Sequence, residues 1–231
     1  MSDDLRLLLA AAWAVFRKDL RVELRNRYAL NAIVLFAVCS VVALSLGLGP
    51  LAPLRNPDLP LIHAGLLWIT LLFAAFSGLA RAFVYEEETR TAPALRLAAR
   101  PTAIYLGKLL FNLLLLLLLM AITAPLAIVL LRISVENPAL LLALLLAGSL
   151  ALVAATTLIA AIIARADGRG ALFAVLSFPL LIPVLVAAIR GTAQAFAGQA
   201  GDAIFAPLQV LASYAVALIT ASLFLFPLVW E

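Results

Sequence analysis

Histidine and cysteine each occur once in this sequence, as His63 and Cys39, and charged residues fill only 12% of its 231 positions. One cysteine excludes an intramolecular disulfide and a cysteine-clustered metal site. A lone histidine is more simply a hydrogen-bonding residue than a metal or haem ligand, and no Cys-x-x-Cys-His attachment motif accompanies it. The scarcity of charge excludes more. Ordinary soluble domains are about 25% charged and about 45–50% apolar, whereas this chain is 66% apolar. A water-facing surface cannot be built from it. A phosphate-binding loop is also missing, because Gly107-Lys108 is followed by Leu109 and has no earlier glycine at the required distance. Any ATP hydrolysis is therefore expected on another polypeptide. No Glu, Asp, Lys or Arg stands in the middle third of any long apolar run. That argues against an ion-coupled carrier or proton pump, which needs ionisable groups at mid-depth.

What the sequence does contain is apolar length. Runs of about 20 residues cross a hydrocarbon core about 30 Å thick at about 1.5 Å per residue. Six such runs are expected as transmembrane helices, at residues 28–49, 61–84, 104–131, 139–164, 171–189 and 203–230. The fold class is all-α, with two parts: residues 1–27 as an amphipathic interfacial helix and residues 28–231 as a six-helix membrane domain. In the first part, Leu9, Trp13, Phe16, Leu20 and Leu24 recur at helical spacing beside Arg17, Arg21 and Arg25. Such a helix buries one face in acyl chains while its arginines reach headgroups. Asp3 and Asp4 precede the apolar stretch, so it lacks the basic start of a cleaved signal.

Orientation follows from the distribution of Lys and Arg, which are retained on the cytoplasmic side. With the amino terminus inside, the cytoplasmic segments hold 13 of the 16 basic residues, and only Arg55, Arg132 and Arg190 fall outside. Both termini are then cytoplasmic. The net charge of +4 is read accordingly as contact with membrane lipid and not with nucleic acid.

Three features are candidates for function. The loop 85–103 carries Glu86, Glu87 and Glu88, followed by Arg90, Arg96 and Arg100. Three acids against a basic background favour a docking surface for a basic soluble partner, and they would also favour the start of a helix. A second cytoplasmic turn holds Arg165, Asp167 and Arg169. In the fifth span Pro179 and Pro183 each remove a backbone hydrogen bond, which bends or locally unwinds a helix. A row of small residues, Ala143, Ala147, Ala151 and Ala155, would admit a closely packed neighbouring helix from the same or another chain.

A basic amphipathic first helix, six spans, an acidic loop after the second and no nucleotide site together resemble the ABC-2 type permeases. Within that group, Phe83 with Glu86 to Glu88, Leu97, Pro101, Tyr105-Leu106-Gly107-Lys108, and Phe178-Pro179 with Ile182-Pro183 resemble the cytochrome c maturation permease family CcmB, also called heme exporter protein B. The resemblance covers essentially the whole chain. It departs in the loop, where the family tends to carry a glycine and a further acid and this chain has Ala92 to Leu97 with Arg96.

The family implies a bacterial inner-membrane complex with a CcmA-like ATPase and CcmC-, CcmD- and CcmE-like haem-handling proteins. In it, ATP on the partner drives haem handling or release of the haem-loaded chaperone. The leading reading is a homodimeric permease paired with two ATPase subunits and binding no cofactor directly, and the charge pattern puts Glu86, Glu87, Glu88, Arg90, Arg96 and Arg100 at the ATPase interface. The sequence has no tryptophan-rich haem-handling motif, its tryptophans being Trp13, Trp68 and Trp230. The alternatives are an ABC-2 exporter of a lipid, glycan or drug, and a non-transporting scaffold.

The charge distribution makes a topological prediction. With Cys39 replaced, Asn56→Cys should be labelled by a membrane-impermeant thiol reagent in intact cells and Arg96→Cys should be protected. The reverse pattern would invert the chain.

Overall fold

The computed structural model describes residues 2–25, 27–48, 57–79, 81–163, 169–198 and 205–230. These form nine helices and no strand: α1 (Ser2–Arg25), α2 (Arg27–Leu48), α3 (Leu59–Leu79), α4 (Arg81–Glu88), α5 (Ala92–Ala98), α6 (Pro101–Leu130), α7 (Pro138–Ile163), α8 (Arg169–Ala197) and α9 (Phe205–Trp230). Six of them, α2, α3, α6, α7, α8 and α9, are long and apolar enough to cross a membrane. The chain is a multi-pass, all-α membrane protein.

Two boundaries differ from the apolar pattern. α3 is described to Leu79 and α4 from Arg81, so Ala82-Phe83-Val84 lies in α4. The segment 85–103 is not a loop but the end of α4, all of α5 and the start of α6. The fifth span does not stop at residue 189: α8 continues to Ala197, so Arg190 is an exposed residue of a helix. α8 also runs unbroken through Pro179 and Pro183, without the local unwinding that two prolines permit. Both prolines lie on its exposed face. In the turn between them, the Tyr214 hydroxyl donates to the Leu180 carbonyl at 2.9 Å, giving that stretch of backbone a partner from α9.

α7 is the central helix. α8 and α9 pack along it, and α3 packs against α8, while α2 lies at the edge against α3 and α6. Apolar surface supplies little preference between protein and lipid, so close fit and interhelical hydrogen bonds hold such a bundle together. Trp68 of α3 lies directly over Gly148 of α7 and donates its indole N–H to Thr192 of α8 at 2.9 Å. Asn112 of α6 donates to Thr157 of α7 at 2.9 Å. Ala151 and Ala155 are buried and Ala143 and Ala147 partly so, which places the small-residue row within this chain's own packing.

The connection from α6 to α7 has two stops of different chemistry. Arg132 adopts φ 52°, and the Ile133 N–H bonds back to the Ile128 carbonyl at 3.0 Å, a left-handed helix stop made without glycine. Asn137 then caps α7, accepting from the Leu140 N–H at 3.0 Å just ahead of Pro138.

Trp68 fills the space that a side chain at Gly148 would need. Gly148→Ala should therefore displace the indole, break its bond to Thr192 and cost about 1–3 kcal/mol. The check is thermal unfolding in detergent, with Gly65→Ala as control, because a methyl group at Gly65 meets open space.

Candidate functional site

α4 is short and ends in acid. Glu86, Glu87 and Glu88 occupy its last turn, where carboxylates oppose the helix dipole. That reverses the expectation that these acids begin a helix. The stop follows at Arg90, whose φ is 55°, with the Thr91 N–H bonding the Glu86 carbonyl at 2.9 Å. This geometry turns Glu86 inward, where it is 2% exposed.

What meets Glu86 there is a fully buried lysine. Lys108, on the second turn of α6, has no exposed surface. Its ammonium lies 3.2 Å from Glu86 Oε1 and 3.4 Å from Asp19 Oδ2 of α1. Lys18 completes the cluster, pairing with Glu86 and lying 2.9 Å from Asp19. The second Glu86 oxygen accepts the Thr91 hydroxyl at 2.8 Å. Two cations and two carboxylates give a neutral group drawn from α1, α4 and α6. Burial opposes ionisation of Glu86, but Lys108, Lys18 and Thr91 outweigh it and hold its pKa below the ordinary value of 4.5. Burial likewise opposes the charge on Lys18, but Asp19 and Glu86 prevail and raise its pKa above 10.5.

The surroundings explain how three segments converge. Gly107, the residue before Lys108, lets the α1 backbone approach α6: a Cβ there would sit 2.6 Å from the Ala12 carbonyl oxygen and 2.7 Å from Val15 Cβ. Phe83, one turn before Glu86, places its ring 5.0 Å from the Lys108 ammonium. That ring also belongs to an aromatic cluster with Phe226 and Trp230 of α9, at centroid separations of 5.7 and 5.8 Å, and Tyr105 joins it at 5.4 Å from Phe226. Arg96 of α5 lies over the Trp230 ring at 5.1 Å.

The acidic run thus divides. Glu86 is an internal anchor, not part of an exposed negative patch, because turning it out to solvent would deprive the buried Lys108 ammonium of a partner. Glu88 and Arg90 are exposed, as is Arg100, which pairs with Asp4 at 3.8 Å. Glu87 lies in α4, but its side chain is outside the described residues. Arg165 and Asp167 are also outside them, and of Arg169 only the backbone at the start of α8 is described. Pro179 and Pro183, on α8, are not placed with this cluster. His63 is buried near the start of α3. Among the described residues no three His, Cys, Asp or Glu side chains gather as a metal site.

Asp19 did not stand out in the sequence, although it follows Leu8, Ala12 and Val15 on one helical face. Lys108 drew notice only within the Tyr105-Leu106-Gly107-Lys108 motif, and it stands inside the third apolar run.

Six helices able to cross a membrane, an amphipathic first helix docked on them and a buried ionic joint near one end define a polytopic membrane protein. The model of the CcmB protein family matches residues 10–229. The chain belongs to the CcmB family, the haem exporter permeases of cytochrome c maturation. No curated protein matches the chain.

Removing one member of the joint leaves the remaining three groups with a net charge against buried surroundings. Lys108→Met or Glu86→Gln should each cost about 3–5 kcal/mol, and the double variant, which keeps the Lys18–Asp19 pair, should lose less than the two combined. Glu86 has a depressed pKa, so its contribution is present above about 4.5 and lost as pH falls through its folded value. Lys18 has a raised pKa, so its contribution is complete below about 10.5 and lost as pH rises through its folded value. Unfolding midpoints from pH 3 to 11 in detergent would test both limbs; Glu86→Gln should flatten the acid limb.

Proposed function

We propose that this chain is the membrane subunit of an ATP-driven complex in cytochrome c maturation, and that a separate CcmA-like ATPase docks on the α4–α5 hairpin. The observation that carries this reading is how the hairpin is built. Glu88, Arg90 and Arg100 are exposed along this segment, as is Leu97 at 92%, while Glu86 and Arg96 tie it to Lys108 of α6 and Trp230 of α9. An exposed apolar residue within mixed charges suits a protein contact better than free solvent. A push on α5 reaches α9 through Arg96 and Trp230, and a push on α4 reaches α6 and α1 through Glu86.

In this reading ATP is bound by the partner, and haem is cargo handled by the complex, with CcmC-, CcmD- and CcmE-like proteins as further members. Two copies of the chain pair with two ATPase subunits. The hairpin and both termini lie on the cytoplasmic side of the bacterial inner membrane, which the 13-to-3 partition of basic residues supports.

The test is co-purification in mild detergent. Exposed pairs contribute only about 0–1 kcal/mol each, so Leu97→Asp should be combined with Glu88→Lys. That variant should insert and fold normally, lose the ATPase from the purified complex and stop cytochrome c maturation. Retention of the ATPase and full activity would move the docking surface elsewhere.

A further inference from the structure

The ionic joint uses only one side of α1. Leu8, Ala12, Val15 and Asp19 share the face turned to α6, with Glu23 one turn further on. This leaves Leu9, Trp13 and Leu24 more than half exposed along one flank. Arg17, Arg21 and Arg25 are exposed beside them. A shallow groove runs between Ala14, Arg17, Lys18, Arg21 and Val22. We propose that this groove binds the phosphate of an anionic phospholipid headgroup.

The depth of α1 supports this occupant. α2 has 22 residues, about 33 Å, which matches a hydrocarbon core of about 30 Å. Its first residue, Arg27, therefore marks the edge of that core. α1 ends at Arg25 and cannot swing away into water, because Asp4 meets Arg100, Ala12 and Val15 lie on Gly107, and Asp19 meets Lys108. Its second half is held at the level of the lipid phosphates.

The chemistry also fits. Arg17 and Arg21 are one turn apart, about 6 Å along the axis, so two exposed cationic side chains can close on one phosphate. Lys18, whose side chain is 42% exposed, lies at the groove's edge. Asp19 and Glu86 are each paired with Lys18 and Lys108. Exposed Leu24 and Trp13 flank the arginines where acyl chains would lie. A soluble phosphate would use the arginines but gain nothing from that apolar flank.

Native mass spectrometry of the full chain, released from detergent containing equal phosphatidylglycerol and phosphatidylcholine, separates the outcomes. The wild type should retain phosphatidylglycerol preferentially. Each arginine near an anionic surface contributes about fivefold in affinity, so Arg17→Gln/Arg21→Gln should lose roughly tenfold or more of that preference. Arg17→Lys/Arg21→Lys should keep most of it. Excess inorganic phosphate should not displace the lipid. Equal retention by the wild type and the glutamine variant, or displacement by inorganic phosphate, would overturn the proposal. Should the glutamine variant fail to fold, an unselective lysine variant would overturn it equally.

Discussion

Burying the ammonium of Lys108 is the constraint on which the α1 end of this molecule depends. An unpaired charge removed from water costs several kcal/mol even after relaxation, so a lysine with no exposed surface requires carboxylates at hand. α6 supplies none of them. Glu86 must arrive on α4 and Asp19 on α1, and Lys18 then restores neutrality. The order of α1 and α4 around α6 follows from that demand. Gly107 makes it sterically feasible by admitting the α1 backbone, and the left-handed stop at Arg90 turns the chain so that Thr91 can reach the second oxygen of Glu86.

The same constraint gives the proposed coupling a physical form. A hairpin hung from flexible links would absorb an applied push. Here α4 is held by ion pairs and by Phe83 in the aromatic cluster, and α5 by the Arg96–Trp230 contact. The cluster draws residues from α4, α6 and α9, so displacement of the hairpin is shared among spans far apart in sequence. An ionic joint is directional as well as strong, because separating its charges without water to replace them is costly. α4 would thus move with α6 and α1 and not slide past them.

Much of the fold was legible because a bilayer asks one thing of a sequence: about 20 apolar residues per crossing. That rule located all six spans, and it failed where apolarity and helix boundaries part company. Ala82-Phe83-Val84 is as apolar as the span before it, yet Phe83 is buried among aromatic rings on α4. Arg190 looked like a loop residue, but an exposed arginine near a helix end can extend its charge to the interface, so α8 had no need to stop. The site was only partly legible. Glu86 to Glu88 drew notice through their charge, but one-dimensional reading could not tell that the first of three identical residues faces inward. Helical phase decides that, together with the buried Lys108 that Glu86 meets. Asp19 was hidden by its own type, since an acid in a basic helix reads as solvated charge until α6 is known to lie against it.

The distribution of polar contacts separates the stiff part of the bundle from the adjustable part. Deep between the spans, polar side chains form neutral, single hydrogen bonds: Trp68 to Thr192, Asn112 to Thr157, Tyr214 to the Leu180 carbonyl. No solvent competes for these, and neither partner changes charge. The buried ionic cluster lies at the α1 end, where the Lys18 side chain is 42% exposed and Glu86 3%. One side of that joint therefore meets water, headgroups and protein partners while the other meets the spans. A charge brought against Lys18 alters the balance that holds Glu86, whereas the same charge has no route to Trp68 or Asn112. Lipid on α1 and an ATPase on the hairpin would act on two edges of one neutral cluster, so occupancy at one edge bears on the stability of the other through Lys18 and Glu86.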